Sequence, residues 1–413
     1  MLGPARIDQE ESRMPGPLLD GITVLDFTRV LAGPYCTRLM ADLGARVLKV
    51  ERPGEGDDTR RGYFQLEEGR ADQATYFVRV NAGKLGIALD LSNPRGREVV
   101  LDLARVADVV VENFLPGVVT RLGCDHAALA RVKPDIVYCS ISGFGQTGPL
   151  RDTPAFHHII NAVSGIMHLE RQTDPGPRVG YLQAADVLAG THAFGAILAA
   201  LVRRGRTGHG AYLDVSMLEA MIAAEDITYG AVINGGDVYP GPRAGMVVHT
   251  LDGGDFAMQT VGAPQLWARL CEAMKRPDLT QDPRFATPMA RRQNWAPLRD
   301  LIVAWLDGFG TRERALEALR AARLPASPVL SPTEVATHPH LEARRAFPEV
   351  PHPGRGKVRV TSTPFQVDGQ PTGPAAGAPY RIGEHTRQVL GEILGYDTAR
   401  IDDLARAGAV GLV

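Results

Sequence analysis

Asp186 is the residue in this chain with the simplest route to chemistry. It is a lone carboxylate in Gly180-Tyr-Leu-Gln-Ala-Ala-Asp186-Val-Leu-Ala-Gly190, ahead of an apolar segment that reaches Val202 before the next charge at Arg203. On residue type alone it is a helix N-cap, accepting the free N–H groups of a first turn, and a catalytic carboxylate is the competing reading. A second candidate, Gly143-Phe-Gly145-Gln-Thr-Gly148, has the G-x-G-x-x-G spacing of a dinucleotide-binding turn and follows a strand pattern. That turn works only if a helix opens at its third glycine to hold a pyrophosphate. Pro149 and Pro154 follow instead, with no apolar periodicity between them, so the segment is expected to be a flexible loop beside a site. Cys36, Cys124, Cys139 and Cys271 are scattered, with no CxxC pair and no histidine at ligand spacing, which points to neither a disulfide framework nor a metal site.

The elements that must position these residues alternate. Ile22–Phe27 is a short apolar strand, Ala32-Gly-Pro34 opens a helix through Leu43, and Ala45–Val50 is a second strand; strand, helix, strand over about thirty residues is a βαβ unit with parallel pairing. The pattern repeats through strands at 87–90, 109–111 and 136–141 and helices at 94–107 and near 127–132. It predicts an α/β fold whose large domain, residues 18–225, is doubly wound and Rossmann-like. Residues 226–245, rich in Gly and Pro, are expected to be a linker. A smaller α+β domain should follow over 246–330, with a hairpin turning at Asp252-Gly-Gly254 and helices carrying Trp267, Trp305 and Leu316. A second linker is expected over 331–360, and an amphipathic C-terminal segment, 361–413, is expected to return to the large domain.

A length of 413 residues fits two domains, and 44% hydrophobic with 22% charged residues is the balance of a soluble globular enzyme. A formal net charge of −2 gives no attraction to nucleic acid or anionic lipid, so neither is an expected partner. Residues 1–17 are expected to be a loose polar tail, since they lack the apolar run that a secretory signal requires. The longest apolar run, Val187–Val202, is interrupted by Thr191 and His192 and falls short of a bilayer span, so a buried helix is expected. With the scattered cysteines, this fits a reducing cytoplasm.

Several segments, in order, resemble the class III CoA-transferases, the family that includes formyl-CoA transferase and the carnitine CoA-transferases. They are Leu19-Asp-Gly-Ile-Thr-Val-Leu-Asp, Ala32-Gly-Pro34, Leu43-Gly-Ala-Arg-Val-Leu-Lys-Val-Glu51-Arg-Pro-Gly, Ile87-Ala-Leu-Asp90 and Val110-Val-Glu-Asn113-Phe-Leu-Pro-Gly117. They continue through Ile141–Pro149, Asp186 with Gly190, and Arg206-Thr-Gly-His-Gly210, with a weaker match at Gly383-Glu-His-Thr386. The resemblance implies that Asp186 is a nucleophile, and the residue type agrees: a carboxylate with an intrinsic pKa of about 3.9 is ionised at neutral pH and needs no general base. It also implies coenzyme A or acyl-CoA as substrate, no tightly bound cofactor and no metal. CoA contacts would fall at Val30, Arg52, Leu89, Asn113 and Arg121. The other substrate would be a free carboxylic acid, and the assembly an interlocked homodimer.

The chain departs from the family in two places. The glycine-rich loop that many relatives place over the aspartate is represented only by Gly235-Gly236 and Pro240–Gly245, and a Gly-Tyr-Asp stretch is replaced by Ala155-Phe156-His157, followed by His158. His157 and His158 are candidates for binding an acidic acyl group or moving protons, and equally for core or turn positions. A 2-methylacyl-CoA racemase using Asp186 and His157 is the alternative reading on the same fold; a non-catalytic CoA-binding protein is the third.

Overall fold

The computed structural model describes residues 16–170, 180–225, 227–238, 244–260 and 264–413. Six parallel strands form the main sheet: β1 (Thr23–Asp26), β2 (Arg46–Glu51), β3 (Leu85–Leu89), β4 (Val109–Glu112), β5 (Val137–Ser142) and β6 (Ala211–Ser216). Their order is β3-β2-β1-β4-β5-β6, that of a doubly wound nucleotide-binding sheet, with a last antiparallel strand, Val410–Gly411, on the free edge of β3. β1, β3, β4 and β5 are buried almost throughout, as parallel strands are when helices cover both sides, whereas β6 at the sheet edge alternates, with Tyr212 and Asp214 exposed.

Helices α1 (Ala32–Asp42), α2 (Thr75–Asn81), α3 (Pro94–Val106), α4 (Val118–Leu122), α5 (His126–Ala130), α6 (His157–Val163), α7 (Ile166–Glu170), α8 (Ala184–Thr207) and α9 (Met217–Ala224) make the connections. Alternation along β1 divides the core. Leu25 joins Val99, Leu103 and Leu129 on one face, and Val24 joins Cys36, Met40, Ala189 and Ile197 on the other.

α8, expected over Val187–Val202 as a buried helix too short to span a bilayer, is longer and buried on one side only. It extends over 24 residues and buries one stripe, Ala185, Ala189, Ala193 and Ile197 at four-residue spacing, while Val202 stands 55% exposed. Among the described residues it is the one helix long and apolar enough to cross a membrane by length and composition. Its buried stripe packs against α1, and Gly190 permits the approach: a Cβ there would lie 2.5 Å from the Ala32 carbonyl oxygen.

The described residues divide into two units, the first from 16–169, 180–236 and 342–413, the second chiefly from 237–341. Residues 349–359, inside the stretch expected to be the second linker, instead form a hairpin of the first unit, whose Val350 and Val358 pack with Val78. Prolines at 348, 351 and 353 hide that two-residue alternation in the sequence. The Gly383-Glu-His-Thr386 motif covers the start of β3's free edge. His385 Nδ1 accepts Gly86 N–H at 3.1 Å and Thr386 Oγ1 accepts Ala88 N–H at 3.0 Å.

In the second unit, strands Met246–Leu251 and Gly254–Gln259 form a hairpin, with Ala326–Pro328 beside it. Asp252 and Gly253 both have positive φ, the requirement of a tight two-residue hairpin turn. Trp267, Leu298, Ile302 and Leu319 make its core with Phe256. Residues 239–243, part of the Gly/Pro stretch considered for a gating loop, lie outside the described residues, as do 1–15 of the N-terminal tail.

Candidate active site

The winding reverses between β1 and β4, and in such sheets a crevice opens there at the carboxyl ends of the strands. A cavity of about 280 Å3 occupies this place. Phe27, Glu51, Arg52, Leu89 and Phe114, each at or just past a strand's end, contribute to its wall. The Gly143–Gly148 turn borders a different cavity, with Asp214 and Glu219. Its Gln146 N–H donates to Asp214 at 2.9 Å, and the next helix begins only at His157, so no helix opens on the third glycine.

One short segment, residues 27–32, joins the crevice to Asp186. Asn113 clamps it: Oδ1 accepts Arg29 N–H at 2.7 Å and Nδ2 donates to Arg29 O at 2.8 Å. Val30 then sits at φ +66°, a left-handed conformation that a β-branched residue adopts only when its surroundings impose it. Its N–H faces the Asp57 carboxylate, 3.4 Å from each oxygen.

Paired charges lie beneath this segment. Lys49 Nζ is 2.9 Å from Asp57 and also donates to the Thr28 carbonyl. Glu51 takes two 2.7 Å bonds from Arg60. Lys84 Nζ meets Asp26, Pro34 O, Thr37 and Asn81 at 2.8–3.0 Å, tying the first turn of α1 to the sheet. Burial would raise the Asp26 and Asp57 carboxyls, but Lys84 and Lys49 hold them below the usual carboxylate range. Burial pulls the Lys84 ammonium down to about 8 against the attraction of Asp26.

Asp186 differs. It lies in the first turn of α8, two residues past the start, so it is not the N-cap; that position belongs to Gln183. Burial pushes its carboxyl up to about 6, opposed by the Ala32 backbone N–H, its own N–H and the charge of His158. Ala32 opens α1, so the carboxylate stands at the N-termini of two helices, whose dipoles favour the anion. No lysine or arginine pairs with it among the described residues. Tyr76 on α2 stands in its field: burial first, then Asp186, pushes the phenol up to about 12.

A family model for CoA-transferase family III matches residues 19–386. The chain belongs to that family. Succinyl-CoA:glutarate CoA-transferase of Mus musculus is 33% identical over 95% of this chain and 90% of its own. Formyl-CoA:oxalate CoA-transferase of Rhodopseudomonas palustris (strain TIE-1) is 32% identical over 95% and 97%. The crystal structure of a CAIB/BAIF family protein from Brucella suis superposes with a TM-score of 0.76 at 30% identity, covering 92% of this chain and all of that one. The enzyme is thus a CoA-transferase with the α/β fold of its relatives.

Within this family III enzyme, Arg52 and Leu89 line the crevice. Val30 and Asn113 adjoin wall residues Arg29 and Phe114, and the Asn113 amide is spent on holding Arg29. Arg121 is exposed on α4 and its neighbour Leu122 is the wall residue. His158 is exposed, whereas His157 is 2% exposed with both ring nitrogens engaged, which corrects its candidacy as a substrate-binding group or racemase base. The sequence reading missed Tyr76 and the Ala32 N–H. Ala32-Gly-Pro34 was visible as a motif, but nothing local to it points to residue 186.

Proposed function

We propose that this enzyme transfers CoA from an acyl-CoA to a free carboxylate through covalent intermediates on Asp186. The observation that carries the reading is the half-buried Asp186 carboxylate at two helix N-termini, with no lysine or arginine on it among the described residues, joined by residues 27–32 to the crevice. An Asp186 oxygen attacks the thioester carbonyl, forming an aspartyl anhydride and expelling CoA thiolate. The thiolate attacks the aspartyl carbonyl, giving an aspartyl-CoA thioester and freeing the donor acid. The acceptor carboxylate attacks that thioester, again expelling thiolate, which takes the new acyl group from the second anhydride. Activation passes from one acyl group to the next, so no ATP is consumed.

CoA would lie in the crevice against Val30, Leu89 and Asn113, with Arg52 and Arg121 on its phosphates. The relatives' names carry glutarate and oxalate, which makes dicarboxylates the first acceptors to try. A reducing cytoplasm belongs to the same reading, supported by four buried, unpaired cysteines. So does an interlocked homodimer, supported by exposed Ile159, Val163, Val202, Ile222 and Ile233 in the first unit. A dimer that persists in sedimentation at nanomolar concentration is the expected result, and a folded, active monomer removes it.

The deciding experiment mixes enzyme with labelled acyl-CoA without acceptor. A hydroxylamine-sensitive adduct on the Asp186 peptide, with CoA exchange once a free acid is added, is expected. Washout of an α-deuterium without exchange would mean racemase chemistry instead.

A further inference from the structure

α8 begins without a cap of its own. Its N-cap residue, Gln183, makes no side-chain hydrogen bond to the first turn, which leaves the Ala185 N–H, one residue before Asp186, to be satisfied from elsewhere. His157 does so from α6: its Nδ1 accepts that N–H at 3.3 Å. Its Nε2 lies 3.0 Å from Asn161 Nδ2, four residues along the same helix. A neutral imidazole cannot accept hydrogen bonds at both nitrogens. Which way an amide faces is decided by its hydrogen bonds, and turning Asn161 over resolves the conflict. It sets Oδ1, otherwise a buried atom with no partner, against an Nε2–H donor.

The ring is then neutral, protonated on Nε2 and fixed at both ends. Burial, and then the neighbouring His158, whose ring centroid is 5.0 Å away, also disfavour its charged form. We propose that His157, locked by Asn161, is the cap of α8 supplied from another helix and a positioning residue for Asp186, fixing the turn that presents the carboxylate to substrate. The proposal rests on the reading of Asp186 as nucleophile. It accounts for a histidine that lies beside the reacting group without reaching the substrate.

Two measurements on the full-length protein test it. In spectra of wild-type enzyme with 15N-labelled histidine, the resonances lost in His157→Gln should be those of an Nε2-protonated ring with an unprotonated Nδ1. A ring protonated on Nδ1 overturns the proposal, because that nitrogen then cannot accept the Ala185 N–H. The second measurement is the rate of adduct formation on Asp186 at saturating acyl-CoA. His157→Phe, which keeps a ring but offers no acceptor, should slow it at least about tenfold with KM for acyl-CoA unchanged. His157→Gln, which can accept the same N–H, should recover most of the loss. A His157→Phe enzyme that forms the adduct at the wild-type rate sinks the positioning role. If wild-type enzyme forms no adduct, the nucleophile reading fails, and the tautomer result still decides the cap.

Discussion

Asp57 and Asp186 are both carboxylates at helix starts beside the 27–32 segment, and they sit in opposite electrostatic settings. Asp57 caps the turn Asp58–Arg61, touches Lys49 at 2.9 Å and has its carboxyl held well down by that ammonium against the effect of burial. Asp186 has backbone N–H groups and the outlying charge of His158, but no bonded lysine or arginine among the described residues, and burial raises it to about 6. A buried acid with a cation is satisfied and inert. One supported only by helix ends keeps an oxygen lone pair available and costs the fold stability, which is the condition expected of a nucleophile.

The widest separation between the two should come from amide substitution. Asp186→Asn is expected to remove CoA transfer by a factor of about 10³ or more while circular dichroism stays unchanged, since an amide cannot form the anhydride; retention of a few per cent of turnover would make the two aspartates alike. Asp57→Asn should do the reverse. It leaves Lys49 buried without its counter-ion and should cost about 3–5 kcal/mol in urea unfolding.

The pH dependence has opposite signs at the two sites. Asp186 is raised from 3.8 to about 6, so its contribution to stability is best below 3.8 and is lost as pH rises toward about 6. The loss is at most about 3 kcal/mol at neutral pH, less for a carboxyl partly open to water. Asp186→Asn should therefore raise Tm at pH 8 and leave it unchanged at pH 4, while wild-type single-turnover rates climb through about pH 6. Asp57 is lowered, so its contribution holds above 3.8 and fails as pH falls through its folded value. Equal Tm for the Asp186 pair at pH 8 would show that the carboxylate is not strained. The smallest effect is expected at the crevice: Arg52→Ala should raise KM for acyl-CoA about 5- to 20-fold with kcat nearly unchanged, because the exposed guanidinium already shares charge with Glu55 at 3.2 Å.

Strand periodicity carried the alternating α/β layer because it is a local pattern, whereas the order of the strands is not local and was not legible. Residue type alone made Asp186 a helix cap, and a nucleophile role came only with the family resemblance. His157 was ambiguous from sequence because its partners, Ala185 and Asn161, say nothing about it until α6 and α8 are packed together. Tyr76 gave no signal for the same reason. The hairpin at 349–359 was lost among prolines, which normally interrupt strands; here Pro348 and Pro353 flank the first strand and Pro351 alone lies within it, opposite Lys357.

The last strand has a consequence for synthesis of the chain. The outer edge of β3 is completed by His385, Thr386 and the pairing of Val410 with Leu89, a sequence separation of 410 − 89 = 321 residues. At ribosomal speeds of about 5–20 residues per second, β3 waits roughly 15–60 s with a row of open backbone donors and acceptors. During that interval the newborn sheet offers one flank to any neighbouring nascent strand, the geometry from which edge-to-edge aggregation starts. Trimming the chain after Ala409 would keep His385 and Thr386 on that edge and leave open only the part that Val410 and Gly411 pair with.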